Sequence, residues 1–250
     1  MEQETTLDRI TPLWDIFQLR RGHRFSTDDM ACAWVAAATR PRATRLLDLG
    51  SGIGSVGLMT LAKLERPEAT LTGLEAQEIS FELALRTRAH NHLEERVRFF
   101  HGDLRDPEAL PAEERFDLIT GSPPYVPEGH GVLSPNSQRA HCRIELRGSI
   151  FDYAAAARRW AAPGARFVFV MAAKDPRTED APVAAGWTVL ERVDWVFRWE
   201  QGPHIAVLVC ARDEDGPHPS RVNRQVVVRG PDGEWTDAYM AFRADMGPGR

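Results

Sequence analysis

The sequence predicts an α/β protein built on a doubly wound, mostly parallel sheet, and three observations carry that expectation. Short apolar runs rich in Leu, Val, Ile and Phe alternate with longer segments of helical spacing, the pattern of strands joined by right-handed crossovers. The first such run, Arg45–Leu49, passes directly into a glycine turn and then into an apolar helix over 56–64. Two late runs, 187–199 and 204–212, are separated only by Glu200-Gln201-Gly202-Pro203, a hairpin signal that adds an antiparallel strand at one edge. The expected architecture is therefore a Rossmann-like sheet of seven strands, parallel except for its C-terminal hairpin strand.

Residues 1–44 are expected to form a loosely ordered lead-in, with a short strand around 14–19, followed by a capping helix. Ser26 or Thr27, standing before two acids and an alanine-rich apolar run, supplies the helix N-cap, and Pro41 ends the helix. The main domain is expected over 45–212. Within it, Thr70–Glu75 predicts a second strand, 78–92 a second helix, 97–100 a third strand and 116–120 a fourth. The segment 127–137, rich in Gly, Pro, Ser and His, is long enough for a functional loop. Residues 146–160 then predict a helix, 165–171 a strand and 180–185 a short helix. Residues 213–250 are expected as a β extension packed on the same domain, with a polar pair of strands near 224–228 and 234–239. Trp195, Phe197 and Trp199 alternate, which places them on one strand face beneath helices.

At 250 residues, 43% of them hydrophobic and 27% charged, the chain has ordinary globular composition and room for one large α/β domain. No apolar stretch approaches the roughly 20 residues that span a bilayer. The N-terminal Met1-Glu2-Gln3-Glu4 is not followed by a secretory signal. Cys32, Cys142 and Cys210 are isolated and lack CxxC spacing, so they suggest neither zinc nor a disulfide framework. The expectation is a cytoplasmic monomer without a metal. A formal net charge of −5 argues against indiscriminate polyanion binding, although Arg20, Arg21 and Arg24 cluster and Arg139, Arg143 and Arg147 recur every four residues.

Ligands of such sheets gather at the carboxyl ends of the strands, and the unusual residues stand there: Asp48 with Gly50, Glu75, Asp103 and Ser122. Two glycine patterns overlap after the first strand. Gly52-Ile53-Gly54-Ser55-Val56-Gly57 fits the dinucleotide fingerprint, whereas Asp48-Leu49-Gly50-Ser51-Gly52-Ile53-Gly54 fits the acid-led glycine loop of S-adenosylmethionine enzymes. A carboxylate at Asp48 would repel a pyrophosphate but suits a ligand carrying an ammonium and a sulfonium, which favours the second pattern. Glu75 could accept both ribose hydroxyls, and Asp103 an adenine amino group with Leu104 against the ring. The candidate cofactor residues are Phe25, Ser26, Asp48, Gly50, Ser51, Gly52, Gly54, Glu75, Ala76, Asp103, Leu104 and Ser122.

The fourth strand runs into Ser122-Pro123-Pro124-Tyr125. Proline fixes φ near −65° and lacks an N–H, so Ser122 and Pro123 are forced extended and the chain leaves the sheet as a stiff arch with unused carbonyls. Such an arch suits a planar group bearing an NH₂. Ser122 Oγ and the Pro123 carbonyl would accept its two N–H bonds, Pro124 would keep the arch rigid, and Tyr125 would stack on the plane. Arg24, Arg139, Arg143 and Arg147 flank this pocket in sequence and, with Tyr125, are the candidate substrate contacts.

These motifs resemble the class I S-adenosylmethionine-dependent methyltransferases, and within them the amino-methylating group marked by [Asn/Asp/Ser]-Pro-Pro-[Tyr/Phe/Trp]. Gly22-His23-Arg24-Phe25-Ser26-Thr27-Asp28 is similar to the Gly-Tyr-Arg-Phe-Ser-x-Asp segment of bacterial tRNA adenine-N6 methyltransferases acting on a valine tRNA. Ser134-Pro135-Asn136 with Arg139 and Glu145, and Gly233-Glu234-Trp235-Thr236, are similar to the same family. The resemblance implies S-adenosylmethionine as cofactor and an exocyclic amine as acceptor, adenine N6 of a tRNA first. Two departures bear on the acceptor: Ser122 replaces the usual Asn, and Ile144 stands where a His is expected before Glu145. The alternatives are a small-molecule amine or a protein glutamine, since release-factor glutamine methyltransferases also use Pro-Pro-Tyr to grip an NH₂. Only 44 residues precede the strand at Arg45, which is short for the separate helical N-terminal domain of those enzymes. A reading of another class is a catalytically silent protein that binds the cofactor and RNA, with Ser122 as the lesion.

Overall fold

The computed structural model describes residues 4–127, 129, 138 and 144–247. The chain begins with an antiparallel hairpin: β2 (Asp15–Leu19) is the short strand expected around 14–19, and its partner β1 (Thr5–Arg9) lies where a loosely ordered lead-in is expected from sequence. The hairpin is ordered by partners far along the chain. The Phe17 N–H donates to Thr87 Oγ1 at 3.0 Å and the Asp15 N–H to Asn91 Oδ1 at 2.9 Å. Helix α1 (Thr27–Thr39) follows and starts as its sequence predicts. Ser26 is the N-cap, and the Asp29 carboxylate accepts from the Ser26 N–H at 3.1 Å to complete a capping box.

From there strands and helices alternate: β3 (Arg45–Leu49), α2 (Ser55–Leu64), β4 (Thr70–Glu75), α3 (Glu78–His90), β5 (Val97–His101) and β6 (Phe116–Gly121). Then come α4 (Ile150–Trp160), β7 (Ala161–Ala172), α5 (Arg177–Ala184), β8 (Trp187–Val196), β9 (Ile205–Arg212), β10 (Val222–Val227) and α6 (Asp237–Met246). The main sheet has the order β10-β8-β9-β7-β6-β3-β4-β5, and only β9 runs antiparallel to its neighbours. Period-two alternation feeds two cores. Leu46, Leu118, Val168, Val170, Val207 and Val209 face the side covered by α1, α2, α3 and α6. Leu47, Ile119, Phe167, Phe169, Leu208 and Cys210 face the side covered by α4 and α5. Burial of both faces explains why the strands read as continuous apolar runs.

The C-terminal segment departs from expectation. β10 adds an eighth strand, parallel to β8 at the sheet edge, and 234–239 is not its partner strand. A single bridge joins Arg229 and Trp235; Thr236 then caps α6, its hydroxyl accepting from the Tyr239 N–H at 3.2 Å. The spacing of Tyr239, Phe242 and Met246, all buried, is helical, and their face closes over Trp34 and Trp195. Trp195 lies beneath helices as its alternation predicts. Trp199 does not: β8 ends at Val196 and Trp199 is 58% exposed.

Candidate active site

A cleft of about 340 Å³ opens at the carboxyl edge of the sheet. The turn after β3 supplies Gly50, Ser51 and Gly52; the end of β4 supplies Glu75 and Ala76; Gly102 and Leu104 follow β5. All of Ser122, Pro123, Pro124 and Tyr125 come in after β6, and Ser26, Asp28 and Asp29 from the start of α1. The chain reverses at Gly50 and Gly52 with φ of +56° and +55°, which favours glycine at both. A Cβ on Gly52 would meet nothing within 4 Å, so its backbone is open to a ligand.

The acids are held firmly. Asp48 is buried, with Oδ1 accepting from Thr120 Oγ1 at 2.7 Å and Oδ2 from the Gly57 N–H at 3.0 Å. Burial pushes its carboxyl up to about 6, against those hydrogen bonds and with added repulsion from Glu75. Asp29 is pushed up to about 7, chiefly by burial and then by Asp28 beside it. Glu75 Oε2 accepts from the Gly52 N–H at 2.8 Å and Oε1 from the Gln77 N–H at 2.6 Å. Each oxygen keeps a second lone pair for a ligand hydroxyl.

Several sequence expectations are corrected. Phe25 packs against the core and does not line the cleft; its N–H donates to Gln18 Oε1 at 2.9 Å. Gly54 belongs to the start of α2 rather than to the cleft. Asp103 also lies outside the lining, its carboxylate held by Arg105 at 2.9 and 2.6 Å. Arg24 points to Thr6 and Asp8, both at 2.9 Å, and not to the cleft. Arg147 does reach the cleft, but at the Glu75 end, donating to the Ala76 carbonyl. Arg139 and Arg143, like Ser134-Pro135-Asn136, lie outside the described residues. Ile144 is buried and bridges to Val126, while Glu145 accepts two hydrogen bonds from Arg177 at 2.7 and 2.9 Å.

Other lining residues escape the sequence reading. Gln138 ties the His23 N–H (3.0 Å) to the Ser80 hydroxyl (3.2 Å). His204 comes from the β8–β9 hairpin, and Tyr153 from α4. A signal for Tyr153 exists in the glycines it passes: Cβ atoms on Gly50 and Gly121 would stand 2.0 and 3.0 Å from it.

S-adenosylmethionine fits this lining. The Ser51 hydroxyl is buried at the cleft without a hydrogen-bond partner among the described residues, a polar atom waiting for a ligand. Asp28, Asp29, Asp48 and Glu75 make the cavity acidic, which suits a sulfonium and an ammonium better than a pyrophosphate. Residues 26–139 match the family described as the Methyltransferase small domain. Those residues carry the methyltransferase small domain, on a fold of the class I S-adenosylmethionine-dependent methyltransferase type.

Among relatives of this chain, a release factor glutamine methyltransferase of Bordetella pertussis is 34% identical over 124 residues, 50% of this chain and 41% of the relative. A tRNA1(Val) (adenine(37)-N6)-methyltransferase of Porphyromonas gingivalis is 32% identical over 138 residues, 53% of this chain and 52% of the relative. The chain thus spans about half the length of these two curated relatives. The enzyme of the latter name from Citrobacter koseri is 26% identical over 84% of this chain and 82% of its own length. A crystal structure from Agrobacterium tumefaciens described as a predicted O-methyltransferase superposes with a TM-score of 0.65 at 18% identity, covering 89% of this chain and 98% of that one. That likeness is one of fold. No helix among the described residues is long and apolar enough to cross a membrane.

Proposed function

We propose that this methyltransferase methylates an exocyclic amino nitrogen, with adenine N6 in a tRNA as the acceptor. One observation carries the reading: the Ser122–Tyr125 arch and the Gly50–Gly52 turn line a single cavity. Gly50, Ser51, Gly52 and Glu75 would hold S-adenosylmethionine, which would supply a methyl group on a sulfonium sulfur able to depart as a thioether with the bonding electron pair. An aromatic amine is a weak nucleophile because its lone pair is delocalised into the ring. Ser122 Oγ and the Pro123 carbonyl accept its two N–H bonds, which draws the nitrogen toward sp³ geometry and turns the lone pair to the methyl. The nitrogen then releases one proton to water. Two prolines fix these acceptors before the substrate arrives, so the protein's contribution is positioning. Tyr125 holds the base by stacking, worth roughly 1–3 kcal/mol.

The alignment that runs farthest along this chain among the relatives described above is with a tRNA adenine enzyme, which supports RNA as the acceptor class. The higher identity over a shorter span to a release factor glutamine methyltransferase favours a second reading, in which the gripped NH₂ is a glutamine carboxamide. The test incubates the protein with isotope-labelled S-adenosylmethionine and either bulk tRNA lacking the modification or a glutamine-bearing release factor, with mass spectrometry of nucleosides and peptides. Label in N6-methyladenosine is expected. Label confined to glutamine would replace the acceptor, and cofactor binding without transfer to either would leave a cofactor-binding protein.

A further inference from the structure

Tyr125 is held from two sides. Its hydroxyl donates to Asp28 Oδ2 at 2.9 Å, across 97 positions of sequence. Its carbonyl accepts from Arg177 Nη2 at 3.4 Å, and Arg177 is itself braced by Asp175 and Glu145. Asp28 stands in the first turn of α1, next to the capping box of Ser26 and Asp29, so its own position does not depend on the tyrosine. Burial pushes both groups toward their neutral forms, and the tyrosine keeps the proton that it donates. A phenol bound in this way cannot swing its ring to a new χ1 position without giving up a buried hydrogen bond to a carboxyl group. Both residues line the cleft.

We propose that Asp28 is the positioning residue for Tyr125: it takes up the hydroxyl, fixes the direction in which the side chain points and keeps the ring in the cleft to meet a flat amine-bearing acceptor. The inference rests on the amino-methylation reading above. It makes the start of α1, and not only the Pro-Pro arch, part of the grip on the acceptor. It also separates Asp28 from two other roles open to a carboxyl group in this cavity, direct contact with the cofactor's ammonium and proton abstraction from the amine.

The test uses the full chain with Asp28→Ala, Asp28→Asn, Tyr125→Phe and the Asp28→Ala/Tyr125→Phe double variant. Turnover and acceptor KM are measured alongside calorimetric cofactor affinity and melting temperature. Asp28→Ala and Tyr125→Phe are each expected to lower kcat about tenfold, and the double variant no further than the worse single, the signature of one shared interaction. Asp28→Asn, whose amide oxygen still accepts, is expected to recover most of the loss, and cofactor affinity to stay within about twofold throughout. Multiplying losses in the double variant would overturn the proposal. So would an Asn as poor as Ala, or a cofactor affinity that falls with Asp28→Ala alone. A readout free of turnover is the ¹³Cζ resonance of Tyr125 in tyrosine-labelled protein, expected to move in Asp28→Ala and to stay near its native position in Asp28→Asn. An unmoved resonance in Asp28→Ala would refute the contact. Absence of transfer by the unmodified protein would instead remove the functional reading, with the resonance still deciding the Asp28–Tyr125 relationship.

Discussion

Gly50 and Tyr153 compete for the same space: a Cβ on the glycine would stand 2.0 Å from the tyrosine hydroxyl. The glycine also holds φ at +56°, a region that L side chains rarely adopt. Tyr153 is buried on α4 and packed into the core on that side of the sheet. Gly50→Ala is therefore expected to destabilise the protein by on the order of 2–4 kcal/mol in urea titration and to weaken cofactor binding with it. Adding Tyr153→Phe should restore part of the stability, because the clash eases while the backbone strain stays. Full restoration would show that crowding alone dictates the glycine.

The acids of the cleft give the protein an unusual pH response. Asp48 and Asp29 sit near 6 and 7, against an ordinary carboxyl near 3.8. Between those values the native state binds more protons than the unfolded chain, so stability falls as pH rises. The contribution is fully present below about 3.8 and is lost by about 7, on the order of 3 kcal/mol for Asp48 and about 4 kcal/mol for Asp29. Asp28 and Glu75 are pushed in the same direction by burial. The lowered acids Asp8, Asp103, Asp175 and Asp245 act oppositely and only on the acid side of 3.8. The ligand-free protein should thus melt at a higher temperature at pH 5 than at pH 8, and Asp48→Asn should flatten that slope. A cationic cofactor favours the ionised acids, so its thermal shift should grow over the same window. A melting temperature that climbs from pH 5 to pH 8 would contradict both statements.

What was legible in the sequence was local. Short, near-continuous apolar runs mark β3, β4, β6 and β7, and the glycine turn after Asp48 and the Pro-Pro arch have chemistry that a short window contains. What stayed hidden depended on partners far away. Phe17 finds Thr87, Arg24 turns back to Asp8, and Tyr125 finds Asp28. Asp103 is instructive because its competitor is close: Arg105, two residues on, takes the carboxylate that a strand-tip reading gives to an adenine amine. The start of helix α6 passes for a strand in sequence because 234–239 is too short a stretch to show a 3.6-residue period.

Removing the ring of the arch separates binding from chemistry. Tyr125 follows Pro124 in a segment whose shape the prolines fix, so Tyr125→Ala deletes a stacking face without releasing the arch. Turnover should fall by roughly five- to 150-fold, the equivalent of 1–3 kcal/mol of stacking, while calorimetry still reports cofactor binding. Unaltered turnover would take Tyr125 out of the mechanism.

Glu75 and Asp103 stand at the ends of neighbouring strands but should behave differently. Glu75 accepts from the N–H groups of Gly52 and Gln77 and lines the cleft, so Glu75→Ala both removes a ligand acceptor and frees the glycine turn. Cofactor affinity should drop at least about tenfold. Asp103→Asn disturbs a half-exposed contact with Arg105 outside the cleft lining and should leave the affinity within about threefold. Equal losses would return Asp103 to the cofactor site.

Arg24, turned away from the cleft, and Arg147, which lines it, offer a parallel contrast. Arg24 spends its guanidinium on Thr6 and Asp8, an ion pair more than a third exposed on both sides, so Arg24→Ala should slacken the β1–β2 hairpin by no more than about 1 kcal/mol. Acceptor KM should hardly respond. Arg147 lines the cleft, donates to the Ala76 carbonyl and lowers the energy of the ionised Glu75 and Asp103 by its charge. Arg147→Ala should therefore raise the cofactor dissociation constant several-fold and shift the onset of binding to higher pH, because Glu75 loses a neighbouring cation. An acceptor KM that rises with either variant while cofactor affinity holds would make that arginine a phosphate contact after all, and a steep loss of RNA affinity with added salt in the native protein, absent from the variant, would confirm it.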